Sequence, residues 1–297
     1  MRADQKVSII MPTYNRAGWI EESIQSILQQ TYSNWELIIV DDGSDDNTEE
    51  VVNRINDERV RFIKAGRIGI GGKIKNIGLE KASGELIAFN DSDDLWNKTK
   101  LEKQVVALHE YPEAGFCLTG GYNFKKPGEP LEYFYKQKEG ARFDNIFIAC
   151  FQSEVAGFTQ SLLLRKECLV AAGYFKESNS FSDMEFIINL SNKFKAVILY
   201  ESLVFRRLHD INHSDLNWEK WHYQGLDMIR SYKDSLPPEV FKDALFRSHI
   251  NLGEKYLKRG IKLKAAQQFF EAWQNNPSNT IPFKKLAKTF VHLLQGK

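Results

Sequence analysis

The 297-residue sequence holds only three cysteines, Cys117, Cys150 and Cys168. An odd number at wide spacing fits neither a disulfide framework nor a CxxC metal site, so a reduced, cytoplasmic interior is the plain reading. No apolar run approaches the roughly 18 residues that a membrane span needs, and the opening MRADQK leads into an apolar strand rather than a signal peptide. Charge of one sign is missing too. The 40 basic and 39 acidic side chains nearly cancel, so whole-chain charge gives no reason to expect nucleic acid as a partner. With 42% hydrophobic and 27% charged residues and no low-complexity tract, the composition is that of a folded globular chain. Its length suits one large domain and a smaller one.

The first 120 residues alternate short β-branched runs with helix-period segments, the signature of parallel strands joined by helical crossovers. VSIIM, WELIIVDD, VRFIK and ELIAF read as strands. Between them, AGWIEESIQSILQQ reads as a helix with Ile20, Ile24, Ile27 and Leu28 on one face, followed by helices at DNTEEVVNRI and GKIKNIGLEKA. Near-continuous apolar strands imply a sheet buried on both faces. In such open sheets ligands sit beyond the carboxyl ends of the strands. That rule selects three polar loops, PTYN, DDGSDD and NDSDD.

Residues 121–215 are less regular and aromatic-rich, as in YNFKKPGEPLEYFY, and are expected to complete the sheet and build the second wall of a cleft. From Trp218 the pattern turns helical. Leu252, Gly253, Tyr256, Ala265, Phe269, Ala272 and Pro277 fall at the spacing of one tetratricopeptide-like helix-turn-helix unit, with no second copy 34 residues away. One unit cannot bury its own face, so a hairpin packed on the main domain is favoured over a partner-binding solenoid.

The acids crowded at the strand ends repel one another, and a hard divalent cation relieves that repulsion most simply. Mg²⁺ or Mn²⁺ takes one or two carboxylates and fills its other positions with water and phosphate oxygens, so Asp-x-Asp implies a phosphorylated substrate. Asp91 to Asp94 also precede KTKLEKQVVALHEY, where they would suit a helix N-terminus. The glycine-rich AGRIGIGGKIKNIG is not a phosphate loop of a known frame: G-x-G-x-x-G from Gly69 meets Ile74, and no GxxxxGK[ST] fits.

VSIIMPTYNRAGWIEESIQSILQQTYSNWELIIVDDGSDDNT and GELIAFNDSDDLW resemble the family 2 glycosyltransferases, inverting GT-A enzymes that use nucleotide-diphosphate sugars. The resemblance covers roughly residues 5–215. It implies an α/β fold, a Rossmann-like, mostly parallel central sheet flanked by helices, as a GT-A domain over 1–215, with a helical extension over 216–297. Carried over residue by residue, Pro12, Thr13, Tyr14 and Asn15 would frame base and ribose, and Asp42 would accept a hydrogen bond from the base. Asp91, Ser92 and Asp93 form the DxD motif, with Asp91 nearer the ribose, Asp93 on the metal and Asp94 in support. A helix starting near Gly71 would deliver Asn76. Lys75 stands where many members carry arginine and loses the bidentate fork, which makes Lys73 an equal candidate for the phosphates.

The resemblance assigns the general base to Asp183 in NSFSDMEFIINL, where Ser182 replaces the usual first acid; Glu185 is an alternative, and an N-cap is the competing role for Ser182 or Asp183. In FRRLHDINHS it makes His209 the distal metal ligand and Arg207 the phosphate contact, with His213 close by. The implied activity is metal-dependent, inverting transfer of a sugar from a nucleotide-diphosphate donor, UDP-linked, to a hydroxyl of a glycan or lipid-linked glycan in cell-surface polysaccharide synthesis. Mn²⁺ or Mg²⁺ is the implied cofactor. A catalytically idle sugar-nucleotide-binding scaffold is the alternative, and nucleotidyl transfer would need a glycine-rich basic loop that MPTYNR is not.

Glu254 to Lys297 carry nine Lys and Arg against two Glu. In IPFKKLAKTFVHLLQGK, Phe283, Leu286, Phe290 and Leu294 share a helical face, which would let a basic amphipathic helix make peripheral contact with the inner face of the cell membrane or simply pack inward. Asn90, where similar sequences commonly carry leucine, has no explanation at this level.

Overall fold

The computed structural model describes residues 4–136, 138–177, 182–209, 218–282 and 284–285. The chain divides into two compact units, 1–147 with 156–212, and 148–155 with 213–297.

In the first unit the central apolar runs become strands buried on both faces. β1 (Val7–Thr13) and β2 (Trp35–Asp41) are buried almost throughout. Between them α1 (Ile20–Leu28) turns Ile20, Ile24 and Ile27 inward. Then follow α2 (Thr48–Asn53), β3 (Val60–Lys64), α3 (Gly71–Lys81), β4 (Leu86–Phe89), β5 (Leu95–Trp96) and α4 (Lys100–Glu110). The second half adds β6 (Ala114–Phe124), β7 (Pro130–Tyr133), β8 (Ala141–Asp144), α5 (Phe147–Phe151), β9 (Leu163–Arg165), α6 (Cys168–Ala172), α7 (Ser182–Ser191) and β10 (Lys195–Arg207). Most of α5 groups with the second unit.

The strands make one mixed sheet in the order β3-β2-β1-β4-β9-β6-β10-β5, with β7 on β6 and β8 on β10. β3, β2, β1 and β4 run parallel. β9 enters antiparallel to both β4 and β6 and joins this half to the parallel pair β6–β10. The parallel half therefore delivers the ends of β1, β2 and β4 to one edge, and β10 brings its own end there through β6. Helix α3 lies so close to β1 that a Cβ on Gly78 would stand 2.5 Å from Ile10 Cγ2.

Two buried charges sit away from that edge. Glu36 on β2 accepts hydrogen bonds from Ser8 (2.6 Å) and from the amide and hydroxyl of Ser83 (2.8 and 2.7 Å). Burial alone would raise its carboxyl, but these bonds and Lys6 bring it down to about 2. Lys100, fully buried on α4, donates to Gln104 Oε1 at 2.7 Å and lies 3.8 Å over the Trp96 ring. Burial pushes its amine down to about 7 against the smaller opposing effect of Cys117.

The second unit contains α8 (Trp218–Ser231), α9 (Pro238–Lys258) and α10 (Lys262–Asn275). Leu252, Tyr256, Ala265, Phe269 and Ala272 form the buried seam of one α9–α10 hairpin, and Gly253 admits the Phe269 ring where a Cβ would be 2.6 Å away. No helix among the described residues is long and apolar enough to cross a membrane. Phe283, Leu286, Phe290, Leu294 and His213 lie outside the described residues.

Candidate active site

At the carboxyl edge the first two loops lock together. Pro12 is half-buried, Thr13 is buried, and Asn15 takes a left-handed backbone (φ 51°) that asparagine tolerates better than bulky residues do. Its amide N–H donates to Ser44 Oγ (2.9 Å), its side chain donates to Asp45 Oδ1 (2.6 Å), and the Asp45 amide returns a bond to Asn15 Oδ1 (3.0 Å). Thr13 Oγ1 is buried without a hydrogen-bond partner among the described residues. Asp42 accepts from the amides of Ile68 (2.5 Å) and Gly69 (3.0 Å) and pairs with Arg67, whose guanidinium lies 3.8 Å over the Tyr14 ring. Tyr14 and Asp42 are thus both engaged by Arg67.

The end of β4 turns sharply, Asp94 N–H donating to Asp91 O at 3.1 Å. Asn90 explains itself here: fully buried, it donates to Ser23 Oγ on α1 (3.1 Å), and that hydroxyl meets the carbonyls of Asp91 and Asp94 at 3.1 and 2.7 Å. A leucine could not make this latch. The side chains then diverge. Gln160 donates one amide nitrogen to both Asp91 Oδ2 and Asp94 Oδ2, while Asp94 Oδ1 accepts the Arg207 amide at 2.8 Å. Ser92 is buried between them in sequence. Asp93 Oδ2 accepts Arg16 Nε at 3.0 Å and lies 2.9 Å from His209 Nε2. The His209 ring stacks on Trp19 with centroids 4.4 Å apart.

Electrostatics separates the three acids. Burial raises Asp91 to about 6, against the pull of Lys75. Burial, then Asp93 and Asp91, hold Asp94 well above the usual carboxylate range. For Asp93 burial is outweighed by the His209 hydrogen bond and by Arg16, and its carboxyl stays below the usual range.

Lys75 faces this cluster from α3. Its buried amine donates to Asp183 Oδ1 (2.7 Å) and Thr159 Oγ1 (3.0 Å), and Thr159 donates to Asp183 Oδ2 (2.9 Å). Burial would lower that amine, but Asp183 and then Asp91 raise it above the usual lysine range. Lys73 is exposed and Asn76 is spent on the 175–177 segment, bonding Phe175 O (2.9 Å) and N–H (3.0 Å) and Glu177 (3.1 Å). Arg207 donates Nε to Asp93 O (2.9 Å) and pairs with Glu22, which makes it a strut. Its neighbour Arg206 is the arginine whose charge bears on Asp91 and Asp94. Glu185 pairs with Lys176.

The site therefore gathers Asp91, Asp93, Asp94, Asp183, Lys75 and His209. Sequence reasoning missed Arg16, Thr159 and Gln160. Arg16 adjoins a loop already singled out; Thr159 and Gln160 fall in a stretch with no periodic or charged signal. A divalent cation fits the donors present: a carboxylate oxygen and an imidazole nitrogen stand 2.9 Å apart, on Asp93 and His209. Among the described residues no three His, Cys, Asp or Glu side chains form a metal cage, so phosphate and water would complete the shell.

Residues 8–166, more than half of the chain, match the family model "Glycosyl transferase family 2". The chain belongs to glycosyl transferase family 2. An uncharacterized glycosyltransferase of Haemophilus influenzae is 31% identical over 224 residues, covering 68% of this chain and 88% of that one. WfgD of Escherichia coli, a UDP-Glc:alpha-D-GlcNAc-diphosphoundecaprenol beta-1,3-glucosyltransferase, is 46% identical over 102 residues, 34% of this chain and 40% of its own length. The matched stretch takes up 24% of a Rickettsia felis glycosyltransferase, so several of these relatives are much longer than the part they share. Among solved structures, S. aureus TarS 1-349 in complex with UDP-GlcNAc superposes with a TM-score of 0.70 at 17% identity, over 98% of this chain and 92% of that one. The mannosyltransferase PcManGT of Pyrobaculum calidifontis, in complex with GDP-Man and Mn2+, gives 0.60 at 20% identity over 97% and 80%. These likenesses establish the family 2 fold as GT-A, an α/β domain followed by helices.

Proposed function

We propose that this chain transfers a sugar, with inversion, from a UDP-linked donor to a hydroxyl of a glycan or lipid-linked glycan during cell-surface polysaccharide synthesis. The observation that carries this reading is the Lys75–Thr159–Asp183 triangle beside the acids that end β4. A general base must keep lone pairs for its substrate, and Asp183, about one-third exposed, has one oxygen held by Lys75 and the other by Thr159 with a further lone pair on each. The acceptor O–H gives its proton to Asp183 while the oxygen attacks the anomeric carbon and the bond to the diphosphate breaks on the opposite face. Nucleoside diphosphate leaves, and one inverted glycosidic bond is formed.

Thr13, Tyr14, Asn15 and Asp42 are read as the nucleoside side of the site, with the orphan Thr13 hydroxyl available to it and Arg67 yielding Asp42 to the base. Arg206, whose charge bears on Asp91 and Asp94, takes the diphosphate side in place of Arg207 and Lys73. Mn²⁺ or Mg²⁺ held at Asp93 and His209 would draw off the charge that grows on the leaving diphosphate. UDP is favoured because a relative's name and a structural neighbour's ligand both carry it. A lipid-linked acceptor would put the reaction at the inner face of the membrane, where a basic tail helps binding. Release of UDP from UDP-sugars with Mn²⁺ present tests the reading. Turnover should disappear in Asp183→Asn with UDP binding kept; undiminished turnover in that variant would remove Asp183 from the role, and no release from any UDP-sugar would leave a binding scaffold.

A further inference from the structure

Apart from Arg206, one face of the β7–β6–β10 segment carries aromatic and polar groups that the donor chemistry above does not use. Asn123 on β6 is paired with Glu132 on β7 and with Arg206 on β10. Their side chains form a row: Arg206 Nη1 to Asn123 Oδ1 at 3.4 Å, and Asn123 Nδ2 to Glu132 Oε2 at 3.4 Å. Both are long contacts, weak enough to be exchanged for a ligand's hydroxyls at little cost. Beside the row lie two half-buried phenyl rings, Phe134 and Phe158, with centroids 4.9 Å apart, and the Arg206 guanidinium is 4.9 Å over Phe158.

The shelf is fixed to the reaction centre by the backbone. Phe134 N–H donates to Gly121 O at 2.8 Å, and a Cβ on Gly121 would run into the Val204 carbonyl and stand 2.7 Å from the Phe134 ring, so glycine lets both β10 and that ring come close to the strand. Phe158 sits between Gly157, where a Cβ would meet Met184 Sδ at 2.6 Å, and Thr159, which donates to Asp183. The ring is therefore one residue from the group that orients the base, and the next residue, Gln160, grips the acids.

We propose that Phe134 and Phe158, with Asn123 and Glu132, form the subsite for the acceptor saccharide. A pyranose shows an apolar C–H face and an equatorial rim of hydroxyls. The electron-rich face of a phenyl ring takes the first, and an amide with a carboxylate takes the second by donating and accepting. This deepens the transferase reading and rests on Asp183 as base, because a sugar on this shelf presents its hydroxyl to that carboxylate.

The test is saturation-transfer NMR on the full chain with a panel of methyl hexopyranosides and N-acetylhexosaminides as probes, with UDP and Mn²⁺ titrated separately. At least one pyranoside should bind with the protons of one ring face most strongly saturated. Phe134→Ala and Phe158→Ala should weaken it about tenfold or more. Phe158→Leu, which keeps the apolar volume and removes the π face, should weaken it too, so a loss caused only by unfolding of the alanine variants is recognised. No pyranoside bound at tens of millimolar, wild-type binding in Phe158→Leu, or displacement of the pyranoside by UDP alone would overturn the proposal. UDP failing to bind while a pyranoside binds the shelf would sink the transferase reading and leave the shelf as a saccharide-binding surface without an acceptor role.

Discussion

Lys75 Nζ and Asp183 Oδ1 lie 2.7 Å apart although 108 positions separate the two residues. A buried ammonium touching a part-exposed carboxylate fixes where that carboxylate points. Removing the amine as Lys75→Met should lower kcat by about 100-fold while changing the donor KM much less, because the loss is of orientation. Lys75→Arg, which keeps the charge with a different shape, should recover part of it. Equal effects on kcat and donor KM, or full activity in Lys75→Met, would show that the contact only fills space.

His209 and Asp93 share the proposed cation. His209→Ala should raise the Mn²⁺ concentration needed for half-maximal UDP release by about 10- to 100-fold. Isothermal titration of UDP without metal should change little. A variant with the wild-type Mn²⁺ requirement would place the cation elsewhere.

Glu36 bears on stability. Its carboxyl is held near 2 when folded, against about 4.3 when unfolded, so its contribution is present above pH 4 and is lost as pH falls through about 2. Glu36→Gln should lower stability at pH 7 by about 2–3 kcal/mol. The difference from wild type in denaturant titrations should shrink as pH falls from 4 towards 2, and a constant difference would refute this.

Lys100 acts in the opposite sense. With a folded value of about 7, the native state binds fewer protons than the unfolded chain between about pH 7 and 10.4. The cost of burying this amine is full below pH 7 and fades as pH rises. Lys100→Met should therefore stabilise the protein at pH 7, with the gain vanishing near pH 10. A destabilised variant at pH 7 would mean that the contacts to Gln104 and Trp96 outweigh burial.

The strand-and-helix alternation through β4 and the acids at its end were legible because burial on both sheet faces leaves a plain apolar signal and charge at a strand end stands out against it. Like residues close in sequence were harder. Arg206 and Arg207 point to opposite faces of β10, and Lys73 and Lys75 lie about 200° apart on α3, yet each pair looks alike in sequence until strand and helix phases are known. Gln160 and Thr159 gave no signal because neither is charged and their partners come from distant segments. Asn90 stood out as a departure, but its reason needed Ser23 in place.

The acids at the end of β4 find their partners at both extremes of the first unit. Arg16 comes from the first loop, whereas Arg207 and His209 belong to the last strand and the residues just after it. Chains emerge amino end first, so Asp93 and Asp94 are made more than a hundred residues before Arg207 and His209. A chain cut short between residue 166 and β10 would hold the whole matched stretch of residues 8–166 and still have an incomplete site. Completion of the candidate site thus coincides with completion of the first unit, and under the proposed function an unfinished copy is barred from spending donor sugar.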